Sequence, residues 1–169
     1  MNEDKPPNWD RIVDRHARRV FLVAYRILGS THDAEDVSQD VFVELFRIHR
    51  SEPVQSWVGL LVRLSTLRAI DRLRRRQPHC ELHESDHTST IQPFDKVAAR
   101  ELADWLRNAI CQLPDQQAAI FSMSHFETLS RDEIASTFGI SPEAVSTSLH
   151  KAKQRLVSQL ALFQAGNLK

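Results

Sequence analysis

Four glycines in 169 residues are too few for a chain built on tight turns, and neither G-x-G-x-x-G nor a Walker loop occurs. A glycine-rich phosphate cradle and a many-turned β-barrel are both disfavoured. Cysteine is almost as scarce: Cys80 and Cys111 lie far apart with no C-x-x-C pair, which argues against a disulfide framework or a cysteine-rich zinc site. A reducing compartment, the cytoplasm, is the expected location. No apolar run approaches the roughly 18 residues of a membrane span, and the polar first 11 residues lack the apolar stretch of a signal peptide, so neither insertion nor export is expected. G-x-S-x-G and H-E-x-x-H are also missing. With no nucleophile, metal-binding carboxylate cluster or cofactor motif in evidence, the chain is expected not to be an enzyme and to need no cofactor.

Charge of one sign is missing too, since 22 Lys and Arg balance 22 Asp and Glu. Its distribution is uneven. From Arg63 to Arg76, the arginines 63, 68, 72, 74, 75 and 76 are opposed by Asp71 alone, a density beyond what a helix C-terminus needs and suited to a phosphate backbone.

What is abundant favours helices. From Trp9 to Leu28, the residues Ile12, Val13, Ala17, Val20, Phe21, Ala24 and Leu28 recur at helical spacing, and Gly29 is a natural stop. Ser30 and Asp33 resemble a capping box opening a second helix to about Arg47, with Val37, Val41, Leu45 and Ile48 as its core stripe. Asp33, Glu35, Asp36 and Asp40 suit that helix's early turns. After the break at Ser51, Glu52 and Pro53, a third helix is expected from Val54 to Arg76. Its first half is apolar on more than one side, which predicts neighbours on two faces.

Residues 78–93 carry mixed acids, histidines, Ser and Thr with hardly any apolar residue, and read as a flexible linker. Helical periodicity resumes at Phe94, with Val97, Ala98, Leu102, Trp105, Leu106 and Ile110 as the expected core stripe up to Pro114. A short helix from Asp115 follows. Then Ser130-Arg131-Asp132-Glu133 forms a second capping box, Gly139 closes that helix, and Ser141-Pro142 opens another through Leu160. Two helices flanking a turn of about three residues make a helix-turn-helix. The expected fold is all-α: two small helical domains, residues 1–77 and 94–169, joined by the linker, the second containing the helix-turn-helix. His79, Cys80, His83 and His87 cluster in the linker, but their spacing matches no standard zinc pattern, so no metal is expected.

Two ordered blocks of residues resemble one family, the extracytoplasmic-function (ECF) group of bacterial RNA polymerase sigma factors. The first is Ala24-Tyr25-Arg26-Ile27-Leu28-Gly29 with Asp33-Ala34-Glu35-Asp36-Val37 and Gln39-Asp40-Val41-Phe42, then Trp57 and Ile70-Asp71-Arg72-Leu73-Arg74-Arg75-Arg76. The second is Leu113-Pro114, Leu129-Ser130, Glu133-Ile134-Ala135, Gly139-Ile140, Val145 and Leu149-His150-Lys151-Ala152.

The resemblance implies a factor that binds core RNA polymerase through Asp33, Glu35, Asp36, Gln39, Asp40 and Phe42. Minus-ten recognition and melting of the non-template strand would fall to His49, Arg50, Ser51, Glu52, Arg63, Arg68, Arg72, Arg74, Arg75 and Arg76. Duplex reading at minus thirty-five would fall to Arg131, Ser141, Pro142, Glu143, Ser146, Thr147, Ser148, His150, Lys151 and Lys153. An anti-sigma factor is implied as a further partner. Ser146 and Ser148 stand where relatives frequently carry Lys and Arg, which predicts an unusual or relaxed minus-thirty-five preference. The rival reading is a helix-turn-helix regulator that binds duplex DNA without polymerase.

Overall fold

A computed structural model describes residues 8–49, 56–76 and 94–166, and within them every regular element is a helix. Helix α1 spans Trp9–Leu28, α2 Thr31–His49, α3 Trp57–Arg76, α4 Phe94–Cys111, α5 Asp115–His125, α6 Arg131–Phe138 and α7 Pro142–Gly166.

Their ends have local causes. The Asn8 side chain accepts from the Arg11 amide at 3.0 Å and caps α1. Gly29 stops that helix at φ 67°, a left-handed conformation that costs glycine little. Ser30 accepts from the Asp33 amide at 3.4 Å, but the Asp33 carboxylate turns to α3 instead of back to Ser30, so only half of the expected capping box forms. Helix α3 begins at Trp57, later than the expected Val54, because the Ser56 hydroxyl caps the Gly59 amide at 3.2 Å. At α6 the box is complete, and Gly139 closes that helix at φ 65°.

Helices α1, α2 and α3 pack as one bundle around Val20, Val23, Ala24 and Ile27 of α1, Val37, Val41 and Leu45 of α2, and Leu61, Val62, Ala69 and Ile70 of α3, all buried. Trp9 closes one end, edge-on to Phe46 at 5.1 Å and to Trp57 at 6.0 Å. A second unit gathers Ile110, Leu113, Ile120, Met123, Ile134, Val145, Ala152 and Leu156 from α4 to α7. Each buried Val, Leu, Ile or Met side chain among these contributes about 1.5–3 kcal/mol of transfer free energy.

The two units share one contiguous core, because α3 packs on α5 and α6 as well as on α1 and α2. Neighbours on two faces of α3 are what its sequence demanded. Val97 and Leu102 depart from expectation: they are 47% and 51% exposed, Trp105 and Leu106 are half-buried, and of the α4 stripe only Ile110 is buried.

Candidate nucleic-acid and protein interfaces

Three surfaces collect the residues singled out by sequence. On α2, the buried positions 37, 41 and 45 fix the helix phase, and the opposite face exposes Glu35, Gln39 and Asp40. Asp33 and Asp36 are not equivalent to these. Asp33 is 3% exposed and accepts from Arg72 Nη2 at 2.8 Å and Nε at 3.0 Å, with Arg76 paired to the same carboxylate. Asp36 accepts from Arg72 Nη2 at 2.7 Å. These two acids therefore tie α2 to α3. Phe42 is half-buried, whereas Val43, one turn on from Asp40, and Phe46, which also meets Trp9, are 52% and 44% exposed. Sequence reading passed over Val43 and Phe46, although the Val37, Val41, Leu45 stripe would have placed both off the core side.

On α3, most of the arginines have partners inside the chain. Arg68 donates to Glu44 at 2.7 Å, and that hydrogen bond, reinforced by the carboxylate's charge, holds its guanidinium above its ordinary pKa. Arg63 donates to the Thr137 carbonyl at 3.0 Å and lies 4.8 Å from the centre of the Phe138 ring. Arg74 donates to the carbonyls of Leu113, at 2.7 Å, and Cys111, at 3.1 Å, and pairs with Asp115. Arg75 is exposed. Arg63 and Arg74 therefore sit in the seam between the two units, on the last turn of α6 and on the α4–α5 corner. Gly59 makes that approach possible: a Cβ there would lie 2.8 Å from Thr137 Oγ1. On α1, Arg26 adds a bond to the Phe126 carbonyl at 2.9 Å and pairs with Glu127. His49 is the last residue of α2, and Arg50, Ser51 and Glu52 lie outside the described residues.

The third surface is the α6–α7 corner, packed on Ile134, Ala135 and Val145. Ser141 accepts from the Ala144 amide at 3.2 Å as the N-cap of α7. Ser141, Pro142, Glu143, Thr147, His150, Lys151 and Lys153 are exposed, and Ser146 and Ser148 are half-exposed. Arg131, the first residue of α6, is exposed and donates to Ser146 Oγ at 3.3 Å, so one guanidinium reaches across to the second helix. This is the geometry of a helix that can lie in a major groove, with a neighbouring helix end beside it.

The description "Sigma-70 region 2" matches residues 12–79, and "Sigma-70, region 4" matches residues 103–156. The chain is 32% identical, over 92% of its length, to the ECF RNA polymerase sigma factor SigE of Mycolicibacterium smegmatis. The chain belongs to the sigma-70 family, in its ECF group.

It spans 62% of the SigE relative's length, and 87% of that of the ECF sigma factor SigW of Bacillus subtilis, to which it is 27% identical over 88% of its own length. Two solved structures share the fold. CnrH, solved in complex with the cytosolic domain of CnrY, superposes with a TM-score of 0.58 at 19% identity, covering 91% of this chain and 88% of that one. The sigma factor RpoE of Bartonella quintana, solved with the anti-sigma factor NepR, gives 0.55 at 16% identity, covering 91% and 97%.

In sigma-70 terms, the region 2 match takes in α1 to α3 from residue 12, and the region 4 match runs from within α4 into α7. A regulator working without polymerase is not favoured, because it would leave region 2 without a role. Sigma factors are non-enzymatic initiation factors. Among the described residues no group of three or more His, Cys, Asp or Glu could hold a metal, and no helix is long and apolar enough to cross a membrane. His79, Cys80, His83 and His87 lie outside the described residues.

Proposed function

We propose that this chain binds core RNA polymerase and directs it to a subset of promoters, with residues 1–77 and 94–169 acting as its two working domains and residues 78–93 as the tether. The observation that carries this reading is the coincidence, in order, of the region 2 and region 4 matches with the two helical units. Polymerase docks on the exposed face of α2: Glu35, Gln39 and Asp40 govern encounter through charge, and Val43 and Phe46 supply apolar contact. Asp33, Asp36 and the half-buried Phe42 set the position of that face.

Minus-ten DNA, as duplex and then as the melted non-template strand, runs along α3 at Arg63, Arg68, Arg72, Arg74, Arg75 and Arg76 and over residues 49–52. The α6–α7 unit reads the minus-thirty-five duplex. The chain performs no chemistry of its own and works in the cytoplasm, where polymerase is. An anti-sigma protein is its natural antagonist, as suggested by the complexes in which CnrH and RpoE were solved.

Co-purification with bacterial core RNA polymerase tests this reading, comparing the wild type with an Asp40→Arg, Val43→Glu double variant. Both positions are exposed, so the fold should persist. The expected outcome is retention of the wild type and loss of the variant. A folded wild-type chain that core polymerase fails to retain would refute the proposal.

A further inference from the structure

We infer that Arg131 is a base-reading residue of the α6–α7 unit and supplies a guanine contact that the Ser146 and Thr147 hydroxyls of α7 cannot make. The inference rests on the proposed minus-thirty-five role of that unit. Guanine presents only acceptors, O6 and N7, to the major groove, so reading it requires donors. The Ser146 and Thr147 hydroxyls of α7 are poor candidates. Ser146 donates to the Pro142 carbonyl at 3.0 Å and Thr147 donates to the Glu143 carbonyl at 3.0 Å. A hydroxyl has one proton, and once it is given to the helix backbone only lone pairs face outward.

Arg131 reverses that deficit. Its Nη1 donates to Ser146 Oγ, and since the Ser146 proton already goes to Pro142, the serine can only accept from the guanidinium. Of the five N–H groups of an arginine, one is then used for positioning and four remain, enough for a bidentate contact. The tether matters as much as the donors. An arginine trailing freely from the start of α6 would reach the nearest phosphate, whereas one held against the recognition helix is presented with that helix's face.

Glu143 adds a complement. Its exposed carboxylate is kept below the usual carboxylate range by its own backbone N–H and by the Ser141 hydroxyl, so it stays ionised at the N-terminus of α7. A carboxylate repels phosphate but accepts from cytosine N4. A guanidinium and a carboxylate on one unit thus match a G·C pair. Lys151 and Lys153, further along α7 and exposed, are left for phosphate.

The test uses holoenzyme reconstituted from core polymerase and the full chain, in wild-type, Arg131→Ala, Ser146→Ala and Lys151→Ala forms, each first shown to be folded by circular dichroism. Each selects from promoters randomised across the minus-thirty-five element, and the salt dependence of binding is recorded. Wild type should enrich guanine at one position. Arg131→Ala should lose about tenfold or more of that preference, leaving the other positions and the salt slope unchanged. Ser146→Ala should weaken the same position. Lys151→Ala should instead weaken all sequences together and reduce the salt slope by about 1.

If Arg131→Ala behaves like Lys151→Ala, the arginine contacts phosphate and the inference is overturned. An unchanged selection in Arg131→Ala overturns it as well, while leaving the role of α6–α7 intact. A wild-type holoenzyme that initiates with no minus-thirty-five preference at all would instead remove the proposed role on which the inference rests.

Discussion

Arg74 of α3 donates to the carbonyl of Leu113, 2.7 Å away, across the seam between the two helical units. The bond joins a proposed minus-ten arginine to the corner that leads into the helix-turn-helix domain. Arg63 does the same at the other end of the seam, on the Thr137 carbonyl and the Phe138 ring. Arg74 has Nε, Nη1 and Nη2 all engaged at the seam and cannot also grip a DNA strand in that geometry, so under the proposed minus-ten role closure of the two units and DNA binding by α3 would compete.

Gly59→Leu should open that seam. Leucine is the better helix former, so α3 itself is not weakened. Its Cβ would meet Thr137 Oγ1 at 2.8 Å, and that hydroxyl is tied to the Glu133 carbonyl at 2.7 Å and cannot easily retreat. Small-angle scattering should show a larger radius of gyration for the variant, accompanied by tighter binding to single-stranded DNA. An unchanged radius would mean that the approach at Gly59 does not hold the units together.

Arg72→Ala should cost far more stability than Arg75→Ala, although both remove one arginine from the same helix. Loss of Arg72 strips Asp33, buried at 3% exposure, of two hydrogen bonds. Breaking a fully buried pair costs about 3–5 kcal/mol. Arg72 is about a third exposed and Arg76 remains beside the carboxylate, so about 2–3 kcal/mol is expected. Arg75 is exposed, and its removal should stay within about 0.5 kcal/mol. Urea unfolding of the two variants gives the comparison, and equal midpoints would contradict it.

The elements that could be read from sequence are those with a local cause. Gly29, Gly139 and Ser130 mark helix ends through conformations and hydrogen bonds that span only a few residues. The two-sided apolar surface of α3 likewise announced neighbours on both faces. Pairings such as Arg63 with Thr137 and Arg74 with Leu113 join residues far apart in the chain, and no local pattern encodes them. For the same reason the arginines read as a DNA track gave no sign that several are engaged inside the protein. Periodicity also shows that a face is apolar without showing what covers it, which is why Val97 and Leu102 were expected in a core they do not enter.

The two serine caps should differ measurably. Ser130 accepts from the Glu133 amide at 3.2 Å while the Glu133 carboxylate accepts from the Ser130 amide at 2.8 Å, so Ser130→Ala should cost about 1 kcal/mol. Ser30 makes one long bond of 3.4 Å with no return contact, and Ser30→Ala should cost well under half as much. The Ser130 backbone bond, followed by the Ser130 hydroxyl, holds the Glu133 carboxyl below its ordinary range. Its contribution is therefore present above the unfolded-state value and lost as pH falls through the lower folded-state value. Thermal melts of both variants at neutral and acid pH give the measurement. Alanine keeps the backbone N–H and removes only the hydroxyl, so the Ser130 deficit should shrink slightly in acid, and a deficit that grows in acid would contradict a hydroxyl donating to the ionised carboxylate.

Cys111 gives a prediction of opposite sign at alkaline pH. Burial pushes its thiol up from 9.0 to about 11, outweighing the nearby Arg74 guanidinium, which favours the thiolate. The folded chain thus holds the neutral form after the unfolded chain has begun to release its proton. The stabilisation is complete below about pH 9 and is lost as pH rises from there towards 11. The loss amounts to about 2–3 kcal/mol by the top of that window. Other groups titrate there too, so the measurement is the difference between wild type and Cys111→Ala in urea unfolding at several pH values. That difference should be flat up to about pH 9 and then move in the variant's favour. If it stays flat to about pH 11, the thiol is not shielded from water in the folded protein, and the packing of α4 where Arg74 meets it is looser than the buried Cys111 side chain implies.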